Sequence, residues 1–149
     1  MRYAEDFPLG QRYVTASYRL TEYEVIEFAR KYDPQPFHVN AEAARTSTFG
    51  GIVCAGAQTI ALCWKLAYET GVFEDVVLAG IGFDRLRWLT PLRPNDVVHV
   101  EFLLMEMTPS RSRPDRAFAR FLYEMKNQRA EVALRLEMLQ ILRRRPDTA

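Results

Sequence analysis

Only two of the 149 residues are histidine, and one of them, His38, stands five positions after a carboxylate, Asp33. The segment 33-DPQPFH-38 holds two prolines, which fix φ and stiffen the backbone between the two side chains. A carboxylate and an imidazole that converge on one point can hold and polarise a water molecule, one group accepting a proton and the other delivering one. The same spacing also suits a turn in which Asp33 bonds nearby backbone groups and His38 packs at the loop end. The other histidine, His99, lies in 97-VVHVEF-102, in opposite phase to Val98, Val100 and Phe102. It reads as a sheet-face residue with no chemical role.

A second feature is the glycine-rich run 49-FGGIVCAGAQT-59, with Gly50, Gly51 and Gly56 leading into an apolar helix. The N–H groups of a first helical turn have no intrahelical acceptor and can receive a developing oxyanion. Close backbone packing around a buried helix start explains the same glycines. Cys54 and Cys63 have no histidine paired with them and read as buried, inert thiols. Arg111, Arg113 and Arg116 share one loop, either as phosphate contacts or as a solvated face. Arg143, Arg144 and Arg145 read as a charged tail that frays. No glycine-rich nucleotide fingerprint, phosphate-binding loop or zinc-hydrolase motif is present.

The elements that position these residues can be read from pattern. Residues 11–18 are rich in aromatic and β-branched side chains and predict a strand. Thr21 and Glu24 have capping-box spacing, and Val25, Phe28, Ala29 and Tyr32 follow at helical intervals. That helix must stop near Asp33, because Pro34 disfavours a helical residue before it. Asn40 can cap a short helix over 41–45. Residues 57–70 are apolar on nearly every face, which predicts a helix buried nearly all round. Gly71 sits where a helix C′ glycine belongs. Residues 76–90, 96–107, 117–126 and 130–142 read as strands, with a turn at Asn127-Gln128. Helices followed by a run of strands predict an α+β fold with an antiparallel sheet. A sheet that curls round the single apolar helix would bury it.

Length and charge set the outer bounds. A chain of 149 residues and 17.3 kDa predicts one domain over 1–149. With 48% hydrophobic residues it can build a core, which excludes intrinsic disorder. A formal net charge of +1 leaves no overall electrostatic footprint for nucleic acid. Two cysteines exclude a disulfide scaffold and show no metal-ligand spacing. The N-terminal residues contain no apolar run, and no stretch is long enough to cross a bilayer. The expectation is a cytoplasmic domain that binds neither membrane nor nucleic acid.

The segment 32-YDPQPFHVNAEAARTSTFGGIVCAGAQT-59 resembles the MaoC-like dehydratases, also called the hydratase-2 family. The likeness continues through 84-DRLRWLTPLRPND-96, 110-SRSRPD-115 and 127-NQRAEVAL-134, so it spans most of the chain in order. The resemblance implies a hot-dog fold, a curved antiparallel sheet wrapped around a long central helix. It implies reversible addition of water to a trans-2-enoyl thioester of coenzyme A or acyl carrier protein, giving an (R)-3-hydroxyacyl thioester. Asp33 and His38 would jointly hold the water. Gly56, with Gly51 before it, would offer N–H groups to the thioester oxygen. Phe37, Cys54, Ala55 and Ala57 would line the substrate pocket, and Arg111 and Arg113 would meet phosphates of coenzyme A. No metal and no separate cofactor are implied, since coenzyme A enters as part of the substrate. A homodimer or higher homo-oligomer is implied, paired through sheet edges.

This chain departs from the family pattern near the helix start. Ala55 stands where a serine is common, Ala57 where a tryptophan is common, and Gln58 where a histidine is common. The first change removes a hydroxyl donor and the second opens pocket volume. Two other activities use the same fold and N–H groups: thioester hydrolysis, with water directed at the carbonyl carbon, and acyl-thioester binding without turnover.

Overall fold

The computed structural model describes residues 1–146. Four α-helical segments precede the four long strands: α1 (Glu22–Tyr32), α2 (Pro36–Val39), α3 (Ala41–Thr46) and α4 (Gly56–Glu69). The strands are β1 (Arg12–Val14), β2 (Tyr18–Arg19), β3 (Val77–Trp88), β4 (Val97–Pro109), β5 (Arg116–Lys126) and β6 (Val132–Arg143). They form one antiparallel sheet in the order β1-β4-β5-β6-β3, with β2 also on β4. The sheet curves around α4, which is the hot-dog arrangement. No helix among the described residues is long and apolar enough to cross a membrane.

Local chemistry accounts for the elements. Thr21 Oγ1 accepts from the Glu24 N–H at 3.2 Å, and the Glu24 carboxylate accepts from the Thr21 N–H at 3.0 Å, closing the expected capping box at the start of α1. Val25 and Ala29 are fully buried and fasten α1 to the core. Asn40 Oδ1 accepts from the Ala43 N–H and caps α3 as expected. Asn95 takes φ +71° in the turn before β4, a conformation asparagine tolerates. Asn127 Oδ1 accepts from the N–H groups of Arg129 and Glu131, which folds the β5–β6 turn.

Three expectations need correction. The strand expected over 11–18 is broken between Val14 and Tyr18, because the Thr15 hydroxyl takes the Val100 N–H in place of a backbone carbonyl. The stiffened segment 33-DPQPFH-38 is not a turn throughout: Pro36 opens one helical turn, since its fixed φ suits a first helical position. The arginines 143–145 do not fray. Arg144 pairs with Glu5 at 3.0 Å and Arg145 with Asp6 at 2.6 Å, holding the N-terminal 3₁₀ turn Ala4–Asp6 against the end of β6.

The core lies between α4 and the concave face of the sheet. Phe102 stacks on Tyr123 and on Phe73, each with ring centroids 5.3 Å apart, and Phe121 meets Phe73 edge-on at 5.2 Å. Leu62, Cys63, Leu66 and Ala67 face this layer from α4. The helix is nevertheless one-sided. Ala57, Ala61, Trp64 and Tyr68 are exposed, while the buried residues of α4 lie on its other flank. Interruptions of register between Val77 and Ala79, between Gly80 and Gly82, and between Asp84 and Arg87 bend β3, and one between Leu104 and Glu106 bends β4. Bulges of this kind supply the curvature that wraps the helix.

On the convex face, Glu101 is gripped by Lys126 at 2.9 Å and by Arg12. Lys126 first, then Arg12 and His99, holds its carboxyl at about 2. A carboxylate depressed in the folded state contributes stability above its unfolded value and loses it as pH falls. Glu101→Gln is therefore expected to flatten the loss of thermal stability between about pH 4.5 and pH 2. Parallel acid-melting curves for the variant and the parent check this, and superimposable slopes would refute it.

Candidate active site

Asp33 is placed by the end of α1. Its backbone N–H donates to the Ala29 carbonyl at 2.8 Å, and its own carbonyl accepts from the Gln35 N–H at 2.8 Å. These bonds turn the chain and leave the carboxylate at the helix end, about one-third exposed. His38 sits on the single turn of α2, whose start is fixed by Pro36, and is only 5% exposed. Five residues of separation therefore become a side-by-side pair, with His38 Nε2 3.5 Å from Asp33 Oδ2.

The proton on His38 can be assigned from its other partner. Nδ1 lies 2.6 Å from the Val53 carbonyl oxygen, and a carbonyl only accepts, so Nδ1 carries the hydrogen. When the ring carries only that proton, it presents the Nε2 lone pair toward the Asp33 carboxylate. Two acceptors 3.5 Å apart make no hydrogen bond with each other. They form instead a paired acceptor site for a molecule with two O–H groups to give, which describes water.

Asp33 and His38 open into a cavity of about 480 Å³. Phe37, Cys54, Gly56 and Ala57 line it, and so do Thr59 and Trp88. Gly56 and Ala57 are in the first turn of α4, where the N–H groups lack intrahelical acceptors. A carbonyl or oxyanion in the cavity thus has donors on one wall and the Asp33–His38 acceptors on another. Phe37 packs edge-on against the His38 ring, with centroids 4.6 Å apart, and restricts its rotation.

Several expected site residues lie elsewhere. Gly51 is outside the cavity, where a side chain would come within 3.3 Å of the Arg93 guanidinium. Ala55 is fully buried and its carbonyl caps α4 by accepting from the Gln58 and Thr59 N–H groups, so it does not face the cavity. Arg111 and Arg113 are exposed in the β4–β5 turn. Register places them at the far end of the sheet. Trp88 is level with Leu134, Met125 and Val100, whereas the turn follows the row Val77, Leu142, Ala117 and Pro109. Cys54 lines the cavity, but burial pushes its thiol up to about 12, and that of Cys63 likewise. Neither has the low pKa a nucleophilic thiol needs.

Trp88 and Thr59 are the residues that motif reasoning missed. The indole Nε1 donates to Thr59 Oγ1 at 3.0 Å, and that hydroxyl donates to the Gly56 carbonyl at 2.7 Å. A Cβ on Gly56 would lie 2.7 Å from the indole carbons, so glycine is required by the close approach of Trp88. The available signal was the glycine itself, which can mark the place where a bulky neighbour meets a helix start.

A family model described as a MaoC like domain matches residues 6–119. Among curated proteins, the uncharacterized protein YdeM of Bacillus subtilis is 31% identical over 108 residues, covering 72% of this chain and 77% of that one. Among solved structures, the MaoC-like dehydratase from Rhodospirillum rubrum superposes with a TM-score of 0.91 and 38% identity, covering 98% of this chain and 99% of that chain. The (R)-hydratase from A. caviae involved in PHA biosynthesis is 22% identical with a TM-score of 0.74, covering 92% and 98%, a likeness of fold. With a family model matching over most of its length, this chain belongs to the MaoC-like dehydratase domain family.

Proposed function

We propose that this protein is a hydro-lyase that adds water reversibly to trans-2-enoyl thioesters and forms (R)-3-hydroxyacyl thioesters. The observation that carries the reading is the Asp33–His38 acceptor pair on the wall of a cavity whose other wall is the first turn of α4. Conjugate addition makes two demands. Negative charge builds on the thioester oxygen, and N–H donors must meet it there. The Gly56 and Ala57 N–H groups meet that demand. Water must also lose one proton as its oxygen bonds C3, and C2 must gain one. Asp33 and His38 accept the first proton and deliver the second, and end in the protonation state in which they began. Both lie on one wall, so hydroxyl and proton add to the same face.

The free edge of the sheet supports pairing with a second copy. Among the described residues β3 has β6 on one side only, and along it Leu78, Ile81, Phe83 and Trp88 are exposed. Trp64 of α4 leans on Phe83 and extends the apolar surface. An uncovered strand edge of this length invites another strand. Antiparallel pairing of two β3 edges would bring the loop with Arg111 and Arg113 of a second copy toward Trp88. That placement reconciles those arginines with a phosphate-bearing substrate bound at the cavity mouth.

The test is ultraviolet absorbance of the conjugated enoyl thioester over a chain-length series of trans-2-enoyl-CoAs, with free thiol assayed in parallel. Loss of the enoyl band without thiol release is the expected result. Thiol release with the enoyl band retained would replace this reading with thioester hydrolysis.

A further inference from the structure

Phe49 lines the cavity beside Phe37 and His38, on a stretch with little local support. Residues 48–52 follow the end of α3 and include Gly50, at φ +67°, and Gly51. Two local bonds shape the stretch. Ser47 Oγ accepts from the Phe49 N–H at 3.2 Å, and the Ser47 carbonyl accepts from the Gly50 N–H at 3.1 Å. Neither ties it to the rest of the fold. Burial of Ile52 anchors one end. Among the described residues a single hydrogen bond joins 48–52 to a distant part of the chain: Arg93 Nη2 donates to the Phe49 carbonyl at 2.5 Å.

Arg93 can serve as that tie because its own backbone is fixed. Its N–H donates to Asp96 Oδ2 at 2.8 Å, and its carbonyl accepts from the Asp96 N–H at 3.1 Å, in the turn that leads into β4. Asp96 Oδ1 accepts from Gln128 at 2.8 Å, so both carboxylate oxygens are engaged and the guanidinium goes to the loop. Gly51 leaves room for it, since a Cβ there would come within 3.3 Å of Arg93 Nη1. This gives Gly51 a part in the site although it stands outside the cavity.

The tie reaches the reacting groups through two rings. Phe49 packs on Phe37, with centroids 5.2 Å apart, and Phe37 packs edge-on against His38 at 4.6 Å. Packed side chains transmit displacement. If Phe49 moves, Phe37 loses the ring that backs it, and its restriction of His38 relaxes.

We infer that Arg93 is a positioning residue, acting through Phe49 and Phe37 to hold the His38 ring in line with Asp33. Its effect on turnover rests on the hydro-lyase reading, and its effect on His38 does not.

The His38 ring is read directly by NMR, from its Cε1–H signal in the full chain. The chain has only one other histidine, and His38→Gln assigns the signal. Arg93→Ala and Phe49→Ala are each expected to move it. The double variant is expected to move it no further than Phe49→Ala alone, because both act through one ring. Kinetics give the second arm. Each single variant is expected to lower kcat/KM for enoyl-CoA hydration by about 10-fold, within the scale of a displacement of about 1 Å at a reacting centre. The double variant is expected to match the worse single one. The same loss is expected with the N-acetylcysteamine thioester of the same enoyl acid, which lacks the phosphates of coenzyme A. An unmoved His38 signal in Arg93→Ala overturns the proposal, and so do additive shifts or additive losses in folded variants. A loss confined to the coenzyme A substrate overturns it too, since Arg93 would then be touching a phosphate. Phe49→Leu, which removes the ring and keeps an apolar side chain, serves if Phe49→Ala misfolds. The NMR arm needs no turnover, so it stands or falls apart from the enoyl-thioester assay.

Discussion

Asp33→Asn and His38→Gln are each expected to lower kcat/KM for enoyl-thioester hydration by at least about 10²-fold, the usual scale for a proton-transfer group. The geometry explains why an isosteric change suffices at Asp33. An asparagine can turn its amide N–H toward the lone pair of His38 Nε2, 3.5 Å from the present carboxylate oxygen, and so close the site on itself. Because the two groups act on one water, the double variant is expected to be little worse than the poorer single one. The fold provides an internal control. The Asp33 backbone, not its carboxylate, makes the bonds that end α1, so Asp33→Asn should leave the thermal midpoint unchanged. His38→Gln gives up the buried bond to the Val53 carbonyl and should cost about 1 kcal/mol of stability. Full activity in either folded single variant, measured by the enoyl absorbance, would remove the water-holding pair from the mechanism.

Gly56→Ala is expected to cost roughly 10-fold or more in kcat/KM while leaving Asp33 and His38 untouched. The added methyl would sit 2.7 Å from two carbons of the Trp88 indole, and real carbon contacts do not come that close. Either the indole swings out or the first turn of α4 shifts. The first outcome breaks the Trp88–Thr59 hydrogen bond and removes a wall of the cavity. The second moves the N–H donors, and displacements of about 1 Å at a reacting centre cost up to about 10²-fold. Tryptophan fluorescence separates the two, because only the first changes the surroundings of Trp88. Trp88→Ala introduced beside Gly56→Ala removes the obstruction, so the stability losses should be strongly non-additive. Additive losses would show that helix and indole do not press on one another.

What was legible in the sequence depended on how local the cause is. The four long strands were readable from local composition, and the last of them from its alternation, where Leu134, Leu136 and Met138 declare their buried face without reference to other strands. The capping box at Thr21 and Glu24, the cap at Asn40 and the turn at Asn95 were readable for the same reason, since each is satisfied within a few residues. Asp33 and His38 could be nominated from type and spacing, although on spacing alone an ordinary turn was the better account. Their convergence needed the helical turn at Pro36, and the tautomer of His38 needed a carbonyl fifteen residues away at Val53. Three-dimensional register decided the remainder. Nothing near Arg111 or Arg113 says which end of the sheet their turn occupies. The exposed flank of α4 escaped notice because apolar residues on all sides of a helix look alike, whether a sheet or nothing in this chain covers them. Trp88 escaped because the residue that reveals it, Gly56, lies thirty-two positions earlier.

The strand order also constrains how the chain reaches its folded state. β3 follows α4 directly, yet its partner among the described residues is β6, which begins forty-four positions after β3 ends. During synthesis α4 and β3 therefore emerge before the strand that holds β3 in place. Loop-closure entropy is lost before the distant pairing can compensate, which slows folding and exposes apolar surface meanwhile. Ile81, Phe83 and Trp88 are solvated in the finished chain and have no shelter earlier. The hazard of such a chain is concentrated in that interval. Substitutions that weaken β6 pairing should lower soluble yield more than they lower the stability of the molecules that do fold.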